Sequence, residues 1–201
     1  MDMNIARETF LNSAVRVVAR EGIEKATTKA IAAEAKLNEA YIYKCFSSKD
    51  EMMAEALRIK DDRLAKVLHE ALPVMYQSDM PWHDRAFTLF CRCWEYMLSD
   101  RVDCAFYIRY YYSTTGLGSN YASHLESFES LIRSLGSAFE PGTRMDVLIH
   151  QIFSTLLFFA SWVIDGKLDD DDKTRDKAFE QIYSFIVPNV RKELLLEGQG
   201  A

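Results

Sequence analysis

Apolar residues recur at helical spacing from the start of the chain. Between Phe10 and Val18 they lie three and four positions apart, and Gly22 follows, which predicts a first helix of about five turns that ends at this glycine. A second, short helix is predicted over residues 29–35, with Thr27 or Thr28 as its N-cap. Its small apolar side chains would let another helix approach closely.

A tight turn separates this helix from a predicted third one. Residues 36–38 are too few for a loop, and Asn38 is a good N-cap for a helix over residues 39–46. Ile42 and Phe46 lie four positions apart and are expected to face the core. Residues 48–51 match a capping box, which predicts the start of a long fourth helix.

The rest of the chain is helix after helix, with a glycine-containing loop predicted over residues 114–120. Helix breakers are sparse, since the sequence holds only 8 Gly and 4 Pro. The pattern predicts an all-α protein, with a three-helix N-terminal domain over residues 1–48 and a helical bundle over residues 49–201. Residues 144–165 are apolar almost all round, but polar side chains interrupt the run, which favours a buried helix over a membrane span.

Charge is distributed unevenly along the chain. The net charge is −6, yet residues 1–50 carry eight basic and seven acidic side chains, so the acidic excess lies in the remainder. Phosphate would repel this acidic body, which is therefore expected to face away from any bound nucleic acid. Because the N-terminal segment is nearly neutral, charge alone does not establish DNA binding.

The cysteines and histidines suggest no catalytic or metal centre. Cys45, Cys91, Cys93 and Cys104 lack the spacing of a zinc site or a disulfide scaffold, so we expect reduced thiols in a cytoplasmic protein. His150 lies alone on an apolar helix and is expected to be hydrogen-bonded in a core or an interface. The sequence predicts no enzyme, no metal and no cofactor.

One set of residues in the N-terminal segment forms a specific pattern without a gap. It consists of Gly22, Thr27, Ile31, Ala32, Ala35, Leu37, Asn38, Ile42, Tyr43, Phe46, Lys49 and Met52. This pattern resembles the DNA-binding domain of the tetracycline-repressor (TetR) family. The resemblance implies a helix-turn-helix whose third helix lies in the major groove of DNA.

The sequence departs from the family pattern at four positions. Lys36 and Ala40 replace glycines, Tyr41 replaces a threonine, and Cys45 replaces an aromatic residue. If residue 36 adopts a left-handed conformation, its lysine costs about 1–2 kcal/mol. The bulkier side chains at positions 40 and 41 alter the surface that would read DNA.

The resemblance implies phosphate contacts from Thr27, Tyr43 and Lys49. Helix N-termini also present free N–H groups to phosphate. At the base edges, Glu39 can accept from a cytosine amino group, and Lys44 can donate to guanine. The full set of predicted DNA-binding residues is Thr27, Thr28, Lys29, Asn38, Glu39, Ala40, Tyr41, Tyr43, Lys44 and Lys49.

Residues 82–128 are rich in aromatic side chains, which suits either an apolar ligand pocket or ordinary core packing. Three tyrosines in this segment share one helix face, because they are spaced three and four positions apart. The hypothesised pocket residues are Phe90, Trp94, Tyr107, Tyr110 and Tyr111.

The resemblance also implies that the last two helices of each subunit form a four-helix dimer interface. The predicted interface residues are Phe153, Leu157, Trp162, Phe179, Ile182 and Ile186. Packing of the same residues in a monomer core is the alternative. A two-fold dimer would place its recognition helices about 34–36 Å apart, on a pseudo-palindromic site.

The resemblance implies that the protein regulates transcription as a homodimer. It would act as a repressor that binds double-stranded operator DNA. A small, largely apolar or aromatic inducer would release it from this DNA. Activation instead of repression is also compatible with the sequence. The alternative is a helical small-molecule-binding protein whose DNA-binding domain is weakened or vestigial.

Overall fold

The computed structural model describes residues 2–113 and 121–198, without the side chains of residues 121–123. The predicted loop at residues 114–120 lies outside the described residues. The helices are α1 Met3–Glu21, α2 Thr28–Ala35, α3 Ile42–Cys45, α4 Lys49–Ala71, α5 Trp82–Ser99, α6 Arg101–Tyr111, α7 Tyr121–Gly136, α8 Met145–Ile164, α9 Asp172–Ile186 and α10 Lys192–Leu196. The predicted all-α fold is confirmed, and α1 ends at Gly22 as expected.

The chain divides into two compact units. The first comprises Met1–Asp62 and Asp100–Glu126, and the second comprises Arg63–Ser99 and Ser127–Ala201. These units do not coincide with the predicted ranges 1–48 and 49–201. The difference arises because α6 packs on α1, and because α4 begins in the first unit and ends in the second.

The core of the first unit forms around α1. Phe10, Ala14, Val17 and Val18 are almost completely buried, as their spacing predicts. On the neighbouring α6, Arg109 donates to the carbonyl oxygen of Val18 at 3.4 Å. The packing of α6 on α1 therefore includes a polar contact as well as apolar ones.

A buried polar cluster joins three helices of the first unit. Asp61 of α4 accepts a hydrogen bond from the hydroxyl of Tyr107 of α6, and its carboxyl oxygen lies 3.0 Å from Nδ1 of His124 of α7. All three side chains are at most 2% exposed. Nearby, Lys60 and Asp103 form an ion pair of 2.5 Å between α4 and α6. Hydrogen bonding offsets the cost of burying these polar groups.

The second unit is built from α5, α8, α9 and α10, together with the end of α4 and the larger part of α7. The inner face of α8 contributes Leu148, Phe153, Leu156, Leu157 and Val163 to its core. By length and composition alone, this helix could cross a membrane. Within its most apolar stretch of 18 residues, 39% is buried inside the protein.

Arg85 is buried in the second unit and connects α5 to the C-terminal segment. It is 1% exposed, and it donates to the carbonyl oxygen of Met80 at 2.6 Å and to Glu197 at 2.7 Å. Burial of a guanidinium requires such partners. The contacts hold the residues beyond α10 against the start of α5.

Candidate functional site: nucleic-acid interface and apolar cavity

Each of the predicted helix starts in the N-terminal segment carries a side-chain cap. Thr27 accepts from the backbone N–H of Ala30 at 3.1 Å, Asn38 accepts from that of Ala40 at 2.9 Å, and Ser48 accepts from that of Glu51 at 3.0 Å. The predicted third helix is shorter than expected. Its first turn, Glu39–Tyr41, is a 3-10 helix, and the backbone at residue 46 is already extended.

The turn between α2 and α3 requires an unusual backbone conformation. Lys36 has φ of 54° and ψ of 37°, in the left-handed region. Its N–H donates to the carbonyl of Ala33 at 3.1 Å, and that of Leu37 donates to the carbonyl of Ala32 at 3.0 Å. The turn therefore closes the end of α2 in the usual left-handed way, but with a lysine where glycine is favoured.

Arginine–glutamate pairs fix α2 against α1. Glu34 of α2 accepts from Arg16 at 2.9 Å and from Arg20 at 3.1 Å. The hydrogen bond from Arg16 is the main cause of a lowered pKa at Glu34. These pairs set the orientation of α2 relative to α1.

Arg7 positions the C-terminal end of α3. Its guanidinium donates to the carbonyl oxygen of Cys45, pairs with Glu55 of α4, and lies 4.3 Å from the ring centre of Phe46. The hydrogen bond to Glu55 raises the pKa of Arg7. Sequence reasoning missed this residue because a basic side chain on α1 looks like part of a solvated face.

All ten predicted DNA-binding residues lie in the first unit, and none of them is buried. Besides the cap of Asn38 on Ala40, two contacts between side chains link members of this set. Thr28 of α2 donates to Glu39 at 2.5 Å, and the Lys44 ammonium lies 4.5 Å from the ring centre of Tyr41. The exposed members are Thr27, Lys29, Asn38, Ala40, Tyr41, Tyr43 and Lys44, and the half-buried ones are Thr28, Glu39 and Lys49.

The second unit contains a cavity of about 160 Å³. Helices α5, α7, α8 and α9 supply most of its wall, and Leu68, Met75 and Phe139 complete it. Its lining includes Trp82, Phe90, Cys93, Leu131, Met145 and Ile152, and none of the lining residues is charged. Within the described ranges, no group of three or more His, Cys, Asp or Glu side chains is placed to hold a metal ion.

The five hypothesised pocket residues are not brought together. Phe90 lines the cavity, whereas Trp94 borders a separate polar cleft with Asp171 and Arg175. Tyr107, Tyr110 and Tyr111 are buried in the first unit. Helical spacing correctly places the tyrosines on one face, but it does not reveal which helix that face packs against.

Most of the residues predicted for the dimer interface face into their own unit. Phe153, Phe179, Ile182 and Ile186 line the cavity, and Leu157 has no exposed surface. Trp162 differs, because 39% of it is exposed. Five of the six predicted residues therefore contribute to the packing of their own unit, and their part in a dimer interface stays a prediction.

The outer face of α8 carries apolar side chains that the sequence reasoning did not single out. Val147 and Phe158 are 44% and 46% exposed. The ring centres of Phe158 and Trp162 lie 4.6 Å apart, one helical turn along this face. Because α8 is apolar almost all round, its sequence gives little indication of which side is the outer one.

The helix-turn-helix and the helical bundle define the class of all-α proteins with an N-terminal nucleic-acid-binding motif. Residues 10–56 match the sequence profile of the bacterial regulatory proteins of the tetR family. The chain is 30% identical over 97 residues to the HTH-type nicotine-responsive transcriptional repressor HdnoR of Paenarthrobacter nicotinovorans. That match spans 48% of this chain and 48% of the relative.

Solved structures share the fold at low sequence identity. A tetR family protein from Shewanella sp. PV-4 superposes with a TM-score of 0.70 at 16% identity, over 89% of this chain and 96% of that one. SmeT, the repressor of the Stenotrophomonas maltophilia multidrug efflux pump SmeDEF, gives a TM-score of 0.66 at 14% identity, over 100% and 98% of the two chains. Residues 10–56 therefore carry the tetR family pattern, and the chain has the fold of these solved structures.

Proposed function

We propose that this protein is a DNA-binding transcriptional regulator that acts as a homodimer in the cytoplasm, and that a small apolar molecule in the cavity releases it from its operator. The proposal rests on one observation. Accessible side chains surround three capped helix starts, which are those of α2, of the 3-10 turn Glu39–Tyr41 and of α4. The match of residues 10–56 to the tetR family profile and the similarity to the repressor HdnoR support the same function.

We assign the contacts with DNA phosphates to residues at or near these helix starts. Thr27 caps α2, and Lys49 is the first residue of α4. Backbone N–H groups and a partial positive charge at helix N-termini attract phosphate. Tyr43 is 60% exposed, so its hydroxyl can reach the DNA backbone, with Lys29 and Lys44 adding charge. Such contacts position the protein without reading the sequence.

We assign the base contacts to Asn38 and to the 3-10 turn Glu39–Tyr41, which precedes α3. Thr28 holds the carboxylate of Glu39 in one orientation, which suits acceptance from a cytosine amino group. Asn38, Ala40 and Tyr41 are exposed beside it. The left-handed turn at Lys36 forms despite the departure from glycine, so this departure does not favour a vestigial domain.

We place the dimer interface on the outer face of α8 rather than on the predicted inner residues. Phe158 and Trp162 form an exposed aromatic pair there, and exposed apolar clusters mark interaction surfaces. Two-fold symmetry would bring the same face of a second copy against it. The Trp162 prediction is retained in this proposal.

Release by a ligand requires differential binding. An inducer lowers DNA affinity only if it binds the DNA-incompetent state more tightly than the competent one. The apolar cavity supplies a place for it, and the relative HdnoR is a nicotine-responsive repressor.

Selection from a randomised duplex library tests the DNA-binding proposal. We expect enrichment of a two-fold symmetric sequence whose half-sites lie about 10 base pairs apart. Lys49→Ala should weaken binding to every duplex, whereas Glu39→Ala should change the enriched sequence. Lys177→Ala is the matched control for charge, because it removes an exposed lysine of α9. It should change neither the affinity for DNA nor the enriched sequence.

Failure to enrich any sequence would contradict the DNA-binding proposal and leave a ligand-binding protein as the better description. Sedimentation equilibrium tests the dimer separately. Phe158→Asp should shift the protein to monomers, whereas Tyr76→Asp, at another exposed aromatic residue, should not. A dimer that withstands Phe158→Asp would place the interface elsewhere.

A further inference from the structure

The cavity of the second unit has an unusually uniform lining. Among its described lining residues, the side chains are aliphatic, aromatic or sulfur-containing, and none carries a charge, an amide or a hydroxyl. A cavity of about 160 Å³ is comparable with an engineered apolar cavity of about 150 Å³ that holds benzene. The space therefore suits a molecule built around one aromatic ring.

One lining residue carries a strong hydrogen-bond donor. Trp82, the first residue of α5, is 4% exposed, and its Nε1 has no hydrogen-bond partner among the residues that the structure describes. A buried N–H group without a partner is costly, and most such groups in native proteins are hydrogen-bonded. Trp82 lines the cavity, so this donor belongs to a side chain of a wall whose other side chains are apolar.

We propose that the cavity binds a small, uncharged aromatic molecule with a single hydrogen-bond acceptor, and that Trp82 Nε1–H donates to this acceptor. The inference rests on the proposed function in taking the cavity as the ligand site, and it adds the chemical class of the ligand. The ring of the ligand packs among side chains such as Phe90, Leu131 and Ile152, while the acceptor fixes its orientation.

The lining argues against a charged ligand. A carboxylate or an ammonium group in this cavity would lose its hydration without gaining a counter-ion, because no charged side chain lines the wall. A carbonyl or ether oxygen loses far less on burial, and the indole N–H offsets that loss. A pure hydrocarbon fits the space but leaves the donor without a partner.

Acetophenone and α-methylstyrene form a matched probe pair, because they differ only in a carbonyl oxygen against a methylene group. Calorimetric titration of the protein, without DNA, should detect binding of both probes. Trp82→Phe keeps an aromatic side chain but removes the donor. We expect this variant to weaken acetophenone binding about fivefold more than α-methylstyrene binding, as for the loss of one hydrogen bond.

Trp94→Phe is the control, since Trp94 is buried in the same helix but does not line the cavity. It should change the affinities of the two probes equally or not at all. A second measurement holds even if Trp82→Phe does not fold. In wild-type protein with ¹⁵N-labelled tryptophan, acetophenone should move the Trp82 indole N–H resonance downfield, and α-methylstyrene should not.

Equal weakening of both probes by Trp82→Phe, or identical indole shifts with both, would overturn the role of Trp82. Absence of acetophenone binding would overturn the ligand class. These measurements involve no DNA, so either failure leaves the DNA-binding proposal standing. Conversely, if the protein binds acetophenone but enriches no duplex, the proposed ligand class stands and the proposed DNA-binding function fails.

Discussion

The strained turn in the helix-turn-helix makes a quantitative prediction. Lys36 is the only non-glycine residue with positive φ among those that the structure describes. A left-handed conformation costs a residue with a Cβ about 1–2 kcal/mol. Glycine avoids this cost but adds about 0.4–1 kcal/mol of conformational entropy to the unfolded chain. Lys36→Gly should therefore stabilise the protein by about 0.5–1 kcal/mol.

For a chain of this length, that gain raises Tm by about 1–4 °C. The assay is thermal unfolding followed by circular dichroism, with Lys36→Ala as the matched control. Alanine loses the same charge and the same exposed side chain but keeps the Cβ, so its Tm should stay near that of the wild type. Equal Tm shifts in the two variants would refute the argument from backbone strain.

The buried polar cluster, the Glu51 cap and the Cys104 thiol each respond to a defined perturbation. Tyr107→Phe removes the hydroxyl that donates to Asp61 and should destabilise the protein by about 1–2 kcal/mol in urea unfolding. Tyr76→Phe, at an exposed tyrosine, is its control and should change stability little. Hydrogen bonds from Ser47 lower the pKa of Glu51 in the folded protein. The ionised carboxylate therefore stabilises the fold at a pH above the pKa that Glu51 has in the unfolded chain. This stabilisation is lost as the pH falls through the pKa of Glu51 in the folded protein. Glu51→Gln should therefore lower Tm at neutral pH and approach the wild-type Tm in acid; a difference that persists at every pH would contradict this. Burial raises the pKa of Cys104 to about 12, so iodoacetamide at a pH of about 8 should modify this thiol only after unfolding, and rapid labelling of the native protein would show that the site is open.

The N-terminal segment could be predicted from the sequence because its signals are local. Thr27, Asn38 and Ser48 act as caps over two or three residues, and the family pattern covers the same short stretch. The glycine that the family pattern has at position 36 raises the case of a left-handed residue there, and the structure has Lys36 in that conformation. These interactions depend on neighbours in the chain, which the sequence displays directly.

The cavity and the exposed face of α8 could not be predicted in the same way, because they depend on which helices pack together. Tyr107 and Phe90 look equivalent as aromatic residues in amphipathic helices, yet one binds Asp61 and the other lines the cavity. On α8, Phe153 is buried and Phe158 is exposed, although both belong to the same largely apolar run. Spacing defines the faces of a helix, but the tertiary structure decides which face is outside.

The proposed regulator depends on a helix-turn-helix that binds one particular DNA sequence. Its most direct test is the fluorescence anisotropy of labelled duplexes that tile the DNA beside the protein's own gene, measured over a salt series with random duplex as the reference. We expect one duplex to bind about 10³-fold or more tightly than random DNA at physiological salt, with affinity falling steeply as salt rises. Equally weak binding of every duplex at all salt concentrations would contradict it.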